Sequence, residues 1–175
     1  MQNVLRTCLW LTVGLAACRS AAPATNIPAT PATRFPNAAE IEIMMEGDSL
    51  PRPARFRGPR YPFKLLGARA VDELVAAFVV DTAGRVEKSS ITFVQPPSHR
   101  EFQESVCKFL QDEATFIPGQ TNGRARRTLV FMPFAFTLNF DAPSGPAPDV
   151  KGMQEHARAA PRDQLVAELE SRPHC

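Results

Sequence analysis

The clearest apolar pattern lies in the middle of the chain. Val71–Asp81 predicts a strand, and its residues Leu74–Val80 are apolar at every position, so both faces of the strand would be buried. Such a strand lies at the centre of a sheet or faces a dimer partner. Asp81–Gly84 predicts a tight turn, in which the aspartate begins the turn and the glycine supplies a positive φ. Arg85–Gln95 then predicts a returning second strand, with Ile91 and Phe93 on one of its faces.

The next segment, Ser98–Ala114, has the period of a helix. Ser98 and Glu101 match the Ser-x-x-Glu capping box that satisfies backbone donors at a helix start. Cys107 lies on the flank of the apolar face. That face consists of Phe102, Val106, Phe109 and Leu110.

A loop and a long apolar segment follow the helix. Phe116–Arg124 contains Pro-Gly and Asn-Gly turn signals and predicts a loop. Ala125–Phe140 predicts a third strand. Pro133 lies inside it and has no N–H, so this strand is at a sheet edge or contains a bulge.

The N-terminus predicts export and a lipid anchor. Arg6 precedes the apolar run Cys8–Ala17, which is the order of a signal peptide and is too short to cross a bilayer. Leu15-Ala16-Ala17-Cys18 resembles the lipobox of bacterial lipoproteins, in which the cysteine thiol accepts a diacylglycerol and the chain is cut before it. The alternative is an ordinary signal peptide cut after Ala17. Arg19 stands where aspartate signals inner-membrane retention, so the outer membrane is favoured.

Proline divides the rest of the chain. Thirteen of the 17 prolines lie in Pro23–Pro62 and Pro143–Pro173, and none lies between Lys64 and Gln95. Within the second cluster, Pro161–Arg172 predicts a short helix. The predicted organisation is a signal peptide at 1–17, a lipid anchor and Pro/Ala/Thr-rich tether at 18–58, a compact domain at 59–140, and a linker with a short helix at 141–175.

Two short segments of the tether have their own patterns. Glu40–Met45 alternates charged and apolar residues like a short strand. Pro51–Arg60 places four arginines among three prolines and predicts irregular chain. It is either a solvated linker or a patch that contacts anionic lipid or cell-wall polymer.

Charge and reactive residues narrow the function classes. The balance of 20 Lys+Arg against 18 Asp+Glu is nearly neutral and argues against nucleic acid as a partner. Cys107 and Cys175 remain after processing. They either pair in an oxidising compartment or stay as a buried small residue and a free tail thiol. The three histidines lack metal-ligand spacing, so we expect no metal, cofactor or enzymatic activity.

The order of these motifs resembles the C-terminal domain of the TonB family. The resemblance is carried by "RYP" at 60–62, "FVVDTAGRV" at 78–86, "FIPGQTNGR" at 116–124 and "MPFAFTL" at 132–138. The family motif positions are Tyr61, Pro62, Asp81, Gly84, Pro118 and Gly123.

The resemblance implies an α+β fold, in which a three-stranded antiparallel sheet carries one helix on a face in the order ββαβ. It also implies a periplasmic protein-binding role in the cell envelope, because family members pair a strand edge with a short peptide of an outer-membrane transporter. They transmit force from a motor through an N-terminal transmembrane helix. Here Cys18 would carry a lipid instead, which favours an accessory role. The competing interpretation is a structural envelope lipoprotein that binds cell-wall polymer or another subunit.

The predicted partner-binding surface is the edge of the third strand, between Arg126 and Leu138. Its first half is favoured because two arginines there would attract an acidic partner segment. Alternatively, this edge is covered by Glu40–Met45 or by the tail, or is paired in a homodimer. The predicted binding residues are Arg126, Arg127, Thr128, Leu129, Val130 and Phe131.

Overall fold

The computed structural model describes residues 34–35, 38–43, 49–55, 57–138 and 147–175. All of these lie within one compact unit, Ala32–Cys175. The predicted signal peptide and Cys18 lie outside the described residues, as do parts of two predicted strands at Met44–Met45 and Asn139–Phe140.

Seven strands and three α-helices make up the described structure. The strands are β1 (Arg52–Pro53), β2 (Asp72–Val80), β3 (Thr92–Gln95), β4 (Phe116–Ile117), β5 (Gln120–Thr121), β6 (Arg124–Ala125) and β7 (Thr128–Phe136). The helices are α1 (Arg100–Lys108), α2 (Val150–Ala159) and α3 (Arg162–Ser171).

The main sheet is antiparallel and has β2 at its centre. The strand order is β3-β2-β7, and β2 pairs with β7 in unbroken register from Asp72↔Phe136 to Val80↔Thr128. Every residue of Leu74–Val80 is fully buried. The prediction of a strand covered on both faces is confirmed, and its position is the sheet centre.

The second strand is shorter than its apolar pattern predicts. Only Thr92–Gln95 forms β3, because a 3-10 turn at Lys88–Ser90 interrupts the segment. The Ser90 hydroxyl accepts a hydrogen bond from the Val79 amide at 2.8 Å and donates to the Glu87 carbonyl at 2.7 Å. At Val79, the Ser90 side chain thus takes the place of a backbone carbonyl of the neighbouring strand.

Helix α1 covers one face of the sheet, as predicted. Phe102, Val106 and Leu110 are buried there, and the rings of Phe102 and Phe136 stack with centroids 4.5 Å apart. A π-helical turn at Phe109–Glu113 continues the helix.

The predicted capping box is wrong. Helix α1 begins at Arg100 with His99 in an extended N-cap conformation and without a side-chain cap. The Ser98 amide instead donates to the Asp72 carboxylate at 2.6 Å. This tertiary contact holds Ser98 outside the helix, one residue too early to cap it.

Helices α2 and α3 cover the opposite face. Helix α3 confirms the predicted helix in the tail, whereas α2 lies in a stretch that was expected to be linker. Ala157, Leu165 and Leu169 are buried against Val75, Ala77 and Val79 of β2. The sheet therefore carries helices on both faces, rather than the single helix that the resemblance implies.

Contacts between polar groups fix both tail helices. The Asp149 side chain caps α2 by accepting from the Gly152 amide at 2.8 Å. His156 and Glu168 join α2 to α3 at 3.0 Å. The hydrogen bond with His156 lowers the pKa of the Glu168 carboxyl, and Arg172 contributes in the same direction.

The segment Pro51–Arg60, expected to be irregular, contains a short strand. Arg52 and Pro53 pair with Ile117 and Phe116 of β4. The predicted loop Phe116–Arg124 likewise contains β4, β5 and the start of β6, and β5 and β6 form a hairpin turning at Asn122 and Gly123 with φ values of 52° and 74°.

The C-terminal residues run beside β3 and are held there covalently. The Phe93 amide donates to the Pro173 carbonyl at 2.7 Å, and the Cys175 amide donates to the Ile91 carbonyl at 3.3 Å. Cys175 forms a disulfide with Cys107 of α1. Of the two states left open for these cysteines, the structure has the bonded one.

Replacing Cys175 with serine is expected to destabilise the fold by about 4 kcal/mol. The bond closes a loop across 68 residues, and the loss of loop-closure entropy in the unfolded chain sets this magnitude. Urea unfolding of wild type and Cys175→Ser gives the difference. The double variant Cys107→Ser/Cys175→Ser is the control and should match the single variant. Non-reducing peptide mapping that finds these cysteines as separate thiols would contradict the pairing.

Candidate protein-binding edge

The outer edge of β7 is the candidate binding surface, and backbone alternation determines which of its groups point outward. The Leu129 amide donates to the Glu42 carbonyl at 3.0 Å, and the Glu42 amide donates to the Arg127 carbonyl at 2.8 Å. Arg127 and Leu129 thus direct their backbone groups away from β2. Because these directions alternate along a strand and the β2–β7 register is unbroken, Phe131, Pro133 and Ala135 do the same.

The first half of the predicted site is therefore covered. Glu42 forms a parallel bridge with Thr128, and it binds the outward carbonyl of Arg127 and the outward amide of Leu129. This matches one alternative drawn from the sequence, in which Glu40–Met45 covers the edge. Glu42 occupies one outward group each of Arg127 and Leu129, whereas both outward groups of Phe131 lack a backbone partner in the described part of the chain.

The two arginines that were expected to attract a partner bind glutamates of their own chain. Arg127 forms two hydrogen bonds with the Glu87 carboxylate, at 2.5 and 2.7 Å, and Glu40 lies 3.9 Å away. The hydrogen bond to Glu87 raises the pKa of Arg127 further above its ordinary value. Arg126 lies 3.4 Å from Glu42. The arginines thus hold the covering segment and the β2–β3 connection against β7.

The open part of the edge is Phe131–Ala135. Its outward backbone groups are the amides of Phe131 and Ala135 and the carbonyls of Phe131, Pro133 and Ala135, and none has a backbone partner among the described residues. The backbone nitrogen of Pro133, which carries no hydrogen, faces outward, so the ladder between β2 and β7 is intact. This confirms the prediction of an edge strand and shows that the proline nitrogen faces away from β2.

A cavity of about 270 Å³ lies under this open edge, on the α1 side. Met132 and Phe134 of β7 line it together with Phe109 and Phe116, and no residue of β2 or β3 does. It therefore lies at the outer margin of the sheet. Its remaining lining includes Arg55, Arg57 and Glu113.

The family motif residues hold turns rather than the edge. The Tyr61 hydroxyl donates to the Ala70 carbonyl at 2.6 Å, and Pro62 precedes the turn Phe63–Leu65. The Asp81 carboxylate accepts from the amides of Ala83 and Arg85, each at 2.8 Å. Pro118 and Gly123 lie in the β4–β6 region.

Gly84 is required by its conformation and by a close approach. Its φ is 80°, and a Cβ there would stand 2.0 Å from the Phe116 carbonyl oxygen. The Gly84 carbonyl also accepts from the Phe116 amide at 2.8 Å. The turn after β2 and strand β4 are joined at this point.

The sequence pattern identified the edge strand but not its open segment. The available signal was Pro133, because a proline in an edge strand must face outward and residues two positions away share its direction. That parity selects Phe131 and Ala135. Nothing local to β7 in the sequence shows that Glu42 covers Arg127 and Leu129.

Part of the chain is similar to known proteins. Residues 57–138, just under half of the chain, match the family model of the Gram-negative bacterial TonB protein C-terminal. These residues are similar to the C-terminal domain of the TonB family. The solution NMR structure of the Pseudomonas aeruginosa TonB C-terminal domain is 20% identical over 55% of this chain and 94% of that chain, with a TM-score of 0.41. No curated protein matches the sequence significantly.

The described residues contain no group of three or more histidine, cysteine or acidic side chains arranged to hold a metal ion. Within the same residues, no helix has the length and apolar character needed to cross a membrane.

Replacing Arg127 with alanine is expected to lower the free energy of unfolding by about 2 kcal/mol. The side chains of Arg127 and Glu87 are only 17% and 20% exposed, so the variant leaves a partly buried carboxylate without its partner. Thermal or urea unfolding measures the loss. The matched control is Arg100→Ala, whose pair with Glu104 is 85% and 60% exposed and contributes little. Equal losses in the two variants would contradict the structural role of Arg127.

Proposed function

We propose that this protein is a lipid-anchored module of the cell envelope that binds an extended segment of another envelope protein along β7. The similarity of residues 57–138 to the C-terminal domain of the TonB family supports a transport-associated, protein-binding and non-enzymatic role. The single observation that carries the proposal is the row of outward backbone groups at Phe131, Pro133 and Ala135 that the described chain leaves without backbone partners.

An incoming strand would pair with this row by adding itself to the sheet. Two amides and three carbonyls face it, so the partner donates more hydrogen bonds around Pro133 than it accepts there. The side chains that it directs toward α1 would lie over the cavity beside Met132 and Phe134. Backbone pairing thus supplies affinity, and the cavity supplies side-chain selection.

The proposed partner is a segment of an outer-membrane transporter or of a protein associated with one. Cys18 would fasten the chain to a membrane facing the periplasm, with the outer membrane favoured. Acyl chains contribute about 0.8 kcal/mol per buried methylene, so several of them hold a protein stably. A lipid does not enter an inner-membrane motor, so we assign the protein an accessory role in transport rather than force transmission.

The edge is tested with two substitutions at one exposed position. Ala135→Pro removes an outward amide and leaves the bonds to β2 in place, whereas Ala135→Thr keeps the amide. Partners are identified by co-purification from envelopes with mass spectrometry, and the affinity for the purified partner is then measured. Ala135→Pro should bind about fivefold more weakly than Ala135→Thr, since one hydrogen bond contributes about 1 kcal/mol.

Circular dichroism of both Ala135 variants verifies that each is folded. If folded Ala135→Pro binds the partner as tightly as Ala135→Thr, the open edge of β7 is not the binding site.

The anchor is tested separately. A Cys18→Ser chain has no thiol to accept lipid and should be released from membranes by high salt, whereas the wild-type chain should stay with membranes after the same wash. Metabolic labelling with a radioactive fatty acid should mark the wild type only. A wild-type chain that takes up no fatty acid would reject the anchor and leave the edge proposal standing.

A further inference from the structure

The segment Ser49–Val71 has a single sign of charge. It contains six lysines and arginines and no aspartate or glutamate. Arg52, Arg55, Arg57, Arg60 and Lys64 are exposed. None of these five is in an ion pair within the described structure, whereas arginines such as Arg127 and Arg172 bind carboxylates. These five side chains therefore present positive charge that no ion pair among the described residues offsets.

The same segment exposes two large apolar side chains next to one another. Phe63 is 85% exposed and Leu66 is 41% exposed, whereas Leu65 between them is buried. Phe63–Leu65 is a 3-10 turn. In that geometry side chains three positions apart eclipse, so Phe63 and Leu66 point in the same direction. Together, Phe63 and Leu66 form an apolar tip.

Contacts with the domain hold the apolar tip in place. The Tyr61 hydroxyl donates to the carbonyls of Ala70 and Leu65, at 2.6 and 3.3 Å, and so closes the loop that carries the tip. The Tyr61 ring packs edge-on against Phe102 of α1, with centroids 5.6 Å apart. On the other side, the Ser105 hydroxyl donates to the Arg60 carbonyl. The loop therefore loses little conformational entropy when the tip binds a surface.

We propose that this loop docks on an anionic lipid bilayer. Phe63 and Leu66 enter the interface, and Arg60 and Lys64 contact the lipid phosphates. An apolar tip flanked by cations is the arrangement that inserts at the boundary between headgroups and acyl chains. The absence of any acidic residue in Ser49–Val71 is what an anionic surface requires, because even one carboxylate would oppose the approach of the phosphates.

The proposal does not depend on strand addition at β7. The tip belongs to the loop between β1 and β2, and none of its residues contributes a backbone group to the open edge. It also does not depend on acylation of Cys18, since the loop itself supplies both the apolar and the charged contacts.

The experiment measures binding of the full chain to sedimenting vesicles. The chain carries Cys18→Ser, so that no acyl chain contributes. Vesicles are of phosphatidylcholine alone or mixed with phosphatidylglycerol. The apolar N-terminal run binds both compositions, so the readout is the ratio of the two partition coefficients. We expect a ratio well above one that decreases as salt is added, because screening weakens contacts with the phosphates.

Two variants and their matched controls locate the binding. Lys64→Gln should reduce the ratio about fivefold, the effect of one cation near an anionic surface. Lys151→Gln, an exposed lysine on α2, should leave the ratio unchanged. Phe63→Ala should reduce binding to anionic vesicles about tenfold, as expected from removing a buried aromatic side chain. Ile117→Ala, an exposed apolar residue on β4, is its control.

Insertion is read directly with a fluorescent side chain. In a chain carrying Trp10→Phe and Phe63→Trp, the emission of residue 63 should shift to the blue on phosphatidylglycerol vesicles and be quenched by brominated lipid. A ratio near one for the starting chain overturns the proposal. So does an unshifted emission, and so does a Phe63→Ala chain that binds like its control. Retention on immobilised polyglutamate without vesicle binding would assign the surface to an acidic protein instead.

Discussion

The architecture follows from a central strand that is apolar on both faces. Leu74–Val80 must be removed from water on two sides, and α1 covers only one of them. A domain of about 80 residues has little material for a second layer. The chain obtains that layer from outside the family-matched region, with α2 lying over β7 and α3 over β3. Phe35 and Ile41, from the segment before the domain, complete the same cluster.

This arrangement makes the flanking segments part of the fold. Phe35, Leu165 and Leu169 are buried in the same cluster as residues of β2, so the tail and the end of the tether are ordered by the sheet that they cover. The disulfide between Cys107 and Cys175 then links the end of the tail to α1, on the opposite face. Because the bond crosses from one layer to the other, separation of the tail would also strain the α1 side of the domain.

The C-terminal residues cover the sheet edge at β3, whereas the edge at β7 is covered over only part of its described length. The edge at β7 is therefore the candidate site. Residues 173–175 hydrogen-bond along β3, and the disulfide keeps them there. On β7, Glu42 is the one described residue that pairs with the edge, and contacts of Glu42 with Arg126 and of Glu40 with Arg127 hold its segment there. An unpaired edge favours aggregation, and a proline with its missing donor outward reduces that tendency. Pro133 thus limits unspecific pairing at the segment that remains open.

Local sequence patterns predicted the elements whose burial is set by their own residues. The double-sided apolar run gave the correct central position for β2, and the helical stripe from Phe102 to Leu110 gave the correct face for α1. The predicted capping box failed because of a distant residue, since Asp72 accepts the hydrogen bond from the Ser98 amide. The partners of the two arginines at the edge, Glu87 and Glu42, are likewise distant in sequence. Contacts between residues so far apart in sequence leave no local pattern, so the spacing of residues did not reveal these contacts.

The position of the cationic segment constrains which chains fit the open edge. Arg52 pairs with Ile117 of β4. Arg55 and Arg57 line the cavity next to Met132 and Phe134, and the Tyr61 ring packs against Phe136. The segment therefore follows the α1-side flank of β7. A basic strand entering at Phe131–Ala135 would meet like charges along its length, whereas a neutral or acidic strand would not. The same positive charge that suits an anionic surface thus excludes basic segments from the edge.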